Sequence, residues 1–251
     1  MISIKSEREI ELLRIAGNIV HETRVYLTPF IKEGITTKEL DTLAEEFILS
    51  KGATPSFKGL NDFPCATCIS INQEVVHGIP GRRKLRNGDI VSIDIGACFK
   101  GYHGDSAWTF AVGEISPAKK ALMDHTRESL FKGLEQVKPG NRIGDISHAI
   151  ECHAKKYNLG VIRELVGHGV GTSVHEEPDV PNYGEPNRGP VLKEGMVLAI
   201  EPMLTLGRRD ICILDDEWTI ETIDNSPAAH FEHTIVVTKD GYEILTGGKN
   251  G

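Results

Sequence analysis

Leu85-Arg86-Asn87-Gly88-Asp89-Ile90-Val91-Ser92-Ile93-Asp94 is echoed by Leu192-Lys193-Glu194-Gly195-Met196-Val197-Leu198-Ala199-Ile200-Glu201. Each copy runs leucine, a base, a polar residue and glycine, then a short apolar stretch closed by a carboxylate. An ionised carboxylate closing a buried strand is costly unless it is paired or bound to a cation. Two of them in equivalent places point to two halves meeting at a charged site, and to a metal centre there. A second echo sets Phe30-Ile31-Lys32-Glu33-Gly34-Ile35-Thr36-Thr37-Lys38-Glu39-Leu40 against Gln136-Val137-Lys138-Pro139-Gly140-Asn141-Arg142-Ile143-Gly144-Asp145-Ile146. The offsets, 107 and 106 residues, fit one register and argue for internal pseudo-symmetry.

The chain has 251 residues, 39% hydrophobic and 25% charged, the make-up of an ordinary globular protein with one substantial core. We read it as a single domain, 1–251, of two pseudo-symmetric halves. The N-terminus is charged within its first ten residues and lacks a long apolar run, so neither a signal peptide nor a membrane span is expected. Five scattered cysteines argue for a reducing compartment, with the cytoplasm as the default. The net charge of −8 argues against a nucleic-acid binder, and Arg82-Arg83-Lys84-Leu85-Arg86 reads as a solvated turn before a strand.

Ser6-x-x-Glu9 reads as a capping box opening a helix with Ile10, Leu13, Gly17 and Val20 on one face. Thr36-x-x-Glu39 opens a second, with Leu40, Leu43, Ala44, Phe47 and Ile48, ended by Gly52. Ser116-Pro117 opens a third that runs to near Pro139-Gly140, and a fourth spans roughly 144–158. Strands are predicted at 68–76, 89–95, about 105–112, 161–166, 172–175, 196–203, 218–223, 231–237 and 242–245. This order gives an α+β fold: a curved antiparallel sheet with two helix pairs on its outer face.

Asp94 ends one strand and Asp105 begins the next. A turn at Phe99-Lys100 would set the two face to face; a turn at Lys100-Gly101 would set them diagonally on one face. Either way they lie within roughly 5–8 Å, so a proton or a cation must separate them. Read alone, Asp105 is better taken as a solvated turn residue after Gly104. The second half tips the balance with Glu201, with Glu232 in Phe231-Glu232-His233-Thr234-Ile235-Val236-Val237, and with Gly167-His168-Gly169-Val170-Gly171, whose glycines clear space around one imidazole. Two Asp, two Glu and one His form an oxygen-rich set with one nitrogen donor. That set suits two divalent ions (Co, Mn, Fe or Zn) and not a cysteine-rich structural zinc. The glycine run is no dinucleotide loop, since no helix follows. Cys65-Ala66-Thr67-Cys68 has no second pair to complete a zinc site, and Cys68 reads as apolar packing. Neither a zinc-protease helix nor a nucleophile elbow is present. His21, His125, His148 and His153 fall on predicted helices and read as surface groups.

Ser70-Ile71-Asn72 with Val75-Val76-His77-Gly78-Ile79-Pro80, Gly88 to Asp94, Gly101-Tyr102-His103-Gly104-Asp105, Gly167 to Gly171, His175-Glu176-Glu177-Pro178, Ile200-Glu201-Pro202-Met203 and Phe231 to Thr234 occur in that order. Over nearly its whole length the chain resembles the type I methionine aminopeptidases, whose pseudo-twofold "pita-bread" fold agrees with the echoes. The resemblance implies that Asp94 chelates one ion, that Asp105 and Glu232 bridge both, and that His168 and Glu201 complete the other. His77 and His175 are similar to the family's two substrate-contacting histidines. The methionine pocket maps onto Leu60, Phe63, Cys68, Val174 and Trp218. Family members more often carry Tyr near Leu60 and Phe63, and Phe at Val174. The implied reaction uses a hydroxide bridging two divalent metal ions, with Glu201 as general base, on a peptide or nascent chain bearing N-terminal Met. Transient ribosome contact and a monomer are also expected, and no membrane. Two rivals stand beside it: a proline-type peptidase of the same superfamily, usually with an additional N-terminal domain, and a non-catalytic binding protein on the same fold. The role of His230, two positions before Glu232, is left open.

Overall fold

A computed structural model describes residues 2–248, so Met1 and 249–251 of the expected domain lie outside the described residues. The four expected helices are α1 (Glu7–Leu27), α2 (Thr37–Ser50), α3 (Pro117–Leu134) and α4 (Ile143–Lys156). The first half contributes strands β1 (Thr54–Pro55), β2 (Thr67–Ile71), β3 (Glu74–Val76), β4 (Ile90–Phe99) and β5 (Tyr102–Ala111). The second contributes β6 (Gly160–Val161), β7 (Gly167–Gly169), β8 (Glu176–Val180), β9 (Val197–Ile200), β10 (Met203–Thr205), β11 (Ile211–Ile213), β12 (Ile220–Thr222), β13 (Ala228–His230), β14 (His233–Val237) and β15 (Tyr242–Ile244). All described pairings are antiparallel, and β4 and β9 lie inside the two larger sheets.

The echoed segments make the same backbone bonds. Gly34 N–H donates to Leu85 O at 2.9 Å, and Gly140 N–H to Leu192 O at 3.1 Å. Leu85 N–H returns to Ile35 O at 2.9 Å, as Leu192 N–H does to Asn141 O at 2.7 Å. In each half, therefore, the loop entering the second helix is tied to the strand that ends on the key carboxylate.

Alternation on β4 sends Val91, Ile93 and Ile95 into a core with Leu40, Ala44 and Ile48 of α2. Ser92, Asp94 and Gly96 face the other way. On β9, Leu198 and Ile200 join Leu130, Leu134, Ile146 and Ile150 of α3 and α4. Each helix pair thus covers one outer face and leaves the carboxylate face turned inward.

Several boundaries differ from expectation. The apolar run 68–76 is divided at Asn72, which has φ +58°, because Glu74 accepts the Ile71 N–H at 2.7 Å and closes a tight turn. Helix α3 stops at Leu134, and its continuation winds through turns that bury Val137. Residues 172–175 form a loop, capped where Glu176 accepts the Ser173 N–H at 3.3 Å and pairs with Lys5 at 2.6 Å. Strand structure at 161–166 is confined to Val161, with β7 beginning at Gly167. The expected strands 196–203 and 231–237 are both interrupted, at Glu201-Pro202 and at Phe231-Glu232. Proline cannot donate to a ladder, and the Glu232 N–H leaves its own sheet to reach Ala107 O at 2.9 Å.

Helix α1 crosses β5 where two glycines touch: a Cβ on Gly104 would stand 2.6 Å from the Gly17 nitrogen. The backbones cannot separate without opening the core, so Gly104→Ala is expected to cost about 1–3 kcal/mol of stability by urea unfolding.

Candidate metal centre and active site

The β4–β5 turn sits at Lys100 (φ +50°) and Gly101 (φ +83°), the positive-φ pair a two-residue hairpin needs. That register pairs Gly96 with Asp105 and Asp94 with Ala107, so Asp94 and Asp105 are diagonal neighbours on the inward face. On β7, His168 pairs with Ala199 and shares the face of Glu201. A Cβ on Gly167 would stand 2.4 Å from Ala199 O, and one on Gly169 would stand 2.3 Å from Glu177 O. These glycines therefore admit neighbouring backbone, which corrects the expectation that they clear space for the imidazole.

The two halves join through threonines. Thr234 Oγ1 donates to Asp105 O at 2.7 Å and accepts the Asp105 N–H at 3.2 Å. Thr109 Oγ1 donates to His230 O at 2.8 Å and accepts the His230 N–H at 2.9 Å. Carrying Asp94 onto Glu201 and following both ladders sets Ala107 against Glu232, Thr109 against Thr234 and Asp105 against His230. His230 is thus the pseudo-symmetric counterpart of Asp105. Its spacing from Glu232 is visible in the sequence, but the equivalence needs both registers.

Asp94, Asp105, His168, Glu201 and Glu232 all line one cavity of about 270 Å³, together with His77, His175 and His230. His168 Nδ1 faces Gly169 O at 2.9 Å, which leaves Nε2 free to act as a donor atom 3.4 Å from Glu201 and 3.9 Å from Asp105. Ligand atoms of Asp105, His168 and Glu232 lie within 4.8 Å of one another, as do those of Glu201, His230 and Glu232. The two groups share Glu232. Asp94 Oδ1, Asp105 Oδ1, Glu232 Oε1 and His230 Nε2 are buried without hydrogen-bond partners. His230 Nε2 lies 3.2 Å from Glu201 Oε2 without the alignment of a hydrogen bond.

Burial, with the neighbouring carboxylates, pushes Asp94 up to about 6 and Asp105 and Glu232 well above the carboxylate range. Burial alone lifts Glu201 to about 7, against the pull of His168. Burial also drops His77 and His230 to about 4 and lowers His168 and His175. Clustered carboxylates resisting ionisation, neutral imidazoles and orphaned oxygens all fit divalent cations.

The apolar wall groups Phe57, Phe63, Cys65, Cys68 and Val174 with Leu60, Ile79 and Trp218. Leu60, Phe63, Cys68 and Trp218 line the cavity, and Val174 is buried in the same cluster. Cys68 reaches the inward face because it pairs with Asp94 across β2 and β4. Trp218 packs edge-on to Phe63 at 5.0 Å and to His77 at 6.4 Å, in a turn whose Trp218 N–H donates to Asp216 at 2.9 Å. Phe57, Asn61, Val76, Glu164, Leu165, Val166 and Met203, outside the set expected from the sequence, also line the cavity. Nothing local marks them. His77 has φ +58°, and Gly78 holds it there, accepting the Ile69 N–H at 2.9 Å and donating to Ser70 Oγ at 3.1 Å. Positive φ is uncommon for a residue with a Cβ and is held here by the surrounding turn. His175 packs across His168, with ring centroids 4.3 Å apart. His103 instead turns to Ser56 at 2.9 Å.

Residues 11–239 match metallopeptidase family M24. The chain is 55% identical to methionine aminopeptidase 1 of Bacillus subtilis (strain 168), over 98% of this chain and 99% of that one. It superposes on methionine aminopeptidase from Rickettsia prowazekii with TM-score 0.97 and 42% identity, covering 98% of this chain and 100% of the other. Against prolidase from Pyrococcus furiosus the TM-score is 0.80 and the identity 26%, over 98% of this chain and 66% of that one. The chain belongs to metallopeptidase family M24 and, within it, to the methionine aminopeptidases. Membership makes it an enzyme, a metal-dependent aminopeptidase of the hydrolase class.

Raised carboxylate pKa values mean that the metal-free folded chain holds more protons than the unfolded chain, so its stability falls as pH rises. Below about pH 6.5 the depressed histidines act in the opposite sense; above it the carboxylates dominate. Chelator-stripped protein should therefore melt lower at pH 8.5 than at pH 6.5, and saturating Mn²⁺ should narrow the gap. Melting curves recorded with and without the ion check this.

Proposed function

We propose that this enzyme removes the N-terminal methionine from peptides and nascent proteins, with Asp94, Asp105, His168, Glu201 and Glu232 holding two divalent ions (Co, Mn, Fe or Zn). The observation carrying this reading is that donors from both halves share one cavity with an apolar wall and two further histidines. Bound there, the ions would supply positive charge for the developing tetrahedral oxygen and lower the pKa of water towards ~7. Glu201 accepts the proton of the attacking water. His175 donates to the oxygen of the scissile carbonyl as charge builds on it, and His77 steadies the amide. Positioned proton transfer of this kind contributes ~10²–10⁴-fold.

Leu60, Phe63, Cys68, Val174 and Trp218 receive the methionine side chain, whose burial is worth roughly 1.5–3 kcal/mol. One methylene discriminates weakly, so norleucine should also be accepted. Among the described residues no helix is long and apolar enough to cross a membrane. The five free cysteines suit a reducing compartment. We place the enzyme in the cytoplasm as a monomer of one two-halved domain, meeting its substrates during transient contact with ribosomes.

Metal-free protein reconstituted with Mn²⁺ or Co²⁺ should release methionine from Met-Ala-Ser and leave an Ala-Pro peptide intact. Cleavage of the Ala-Pro peptide alone would favour a proline-type peptidase. Asp105→Asn should lose both metal, measured by titration calorimetry, and turnover. His175→Ala should bind metal normally while kcat falls by ~10²–10³-fold, the size of a lost oxyanion donor. Full turnover in that variant would remove His175 from the mechanism.

A further inference from the structure

A second group of metal-type ligands lies on the paired helices of the second half, apart from the residues lining the active cavity. His125 and Glu128 are one turn apart on α3, and His153 faces them from α4. His125 Nδ1 lies 3.6 Å from Glu128 Oε2, and His153 Nε2 lies 3.7 Å from the same oxygen. Both are too long for hydrogen bonds. They are close to the ligand separation of about 3.4 Å that tetrahedral zinc requires with bonds of 2.0–2.2 Å. The third separation is also within 4.8 Å.

Two observations make this more than a surface cluster. The His153 side chain is only 7% exposed, so it is not the solvated surface group its helical position predicts. Its Nε2 and His125 Nδ1 are both buried without any hydrogen-bond partner, and both face the Glu128 carboxylate. Buried polar nitrogens without partners are rare, because each forfeits its hydration. Tyr157 stacks on His125 at 3.4 Å and 16°, and this holds the ring in place. Glu128 is half exposed, which leaves a fourth position open to water.

We propose that His125, Glu128 and His153 form a separate site for one Zn²⁺-class ion, clasping α3 to α4. Two imidazoles and one carboxylate are donors suited to zinc, and an ion here would link two helices through ring nitrogens that otherwise lack hydrogen-bond partners. The chain would then bind one ion more than its active centre holds.

Equilibrium dialysis of the full-length protein against Zn²⁺ tests this, using wild type, His153→Asn and the more conservative surface change Glu128→Ala. The expected result is one fewer Zn²⁺ per chain, or at least tenfold weaker binding of one ion, in both variants. Cleavage of Met-Ala-Ser by the Mn²⁺-loaded enzyme should stay within twofold of wild type. Zn²⁺ should also raise the Tm of wild type more than that of Glu128→Ala. Equal zinc binding in wild type and Glu128→Ala would overturn the proposal, as would zinc and peptidase activity falling in parallel.

Discussion

The carboxylates of Asp94, Asp105, Glu201 and Glu232 crowd one buried cavity with the imidazoles of His77, His168, His175 and His230, and the rest of the architecture answers to that constraint. Full hydration would screen the repulsion, but burial strips much of it from the carboxylate oxygens; protons would relieve it at the expense of donor capacity. Divalent cations relieve it and make the group chemically useful. Burial and the neighbouring carboxylates push Asp105 and Glu232 well above the carboxylate range, the direction that a proton or a counter-charge relieves.

Holding the donors together falls to the seam between the halves. Each half supplies a sheet with its helix pair outside and its carboxylates inside, and Thr109 and Thr234 knit the two with reciprocal bonds to His230 and Asp105. The symmetry is kept in the backbone and given up in the side chains. Asp105 has become His230, and Ala107 has become Glu232, so equivalent positions present different donors to one cavity. His77 and His175, the two histidines proposed to contact the substrate, lie outside this exchange. His77 depends on a strained turn, and His175 on a loop packed over His168.

Much of this was legible beforehand where the cause is local. Ser6, Thr36 and Ser116 announce helix starts because a cap acts within three residues. The echo of Leu85–Asp94 at Leu192–Glu201 was visible because equivalent turns need equivalent glycines: Gly88 has φ +92° and Gly195 φ +84°. Illegible features had distant causes. The glycines beside His168 answer to carbonyls of Ala199 and Glu177, and His153 is buried by a neighbouring helix. The breaks at Glu201 and Glu232 reflect contacts between halves that no periodicity encodes.

The amino-acid order by itself determined the helix starts, the duplicated register and the types of donor available, because caps, turns and alternation act over a few residues. Whether Asp94 meets Asp105 directly or diagonally was decided by the β4–β5 register. That His230 stands where Asp105 stands in the other half was decided by strands more than 100 residues apart. Hydrogen-bond registers and close backbone approach are properties of pairs, and only the folded chain selects the partner.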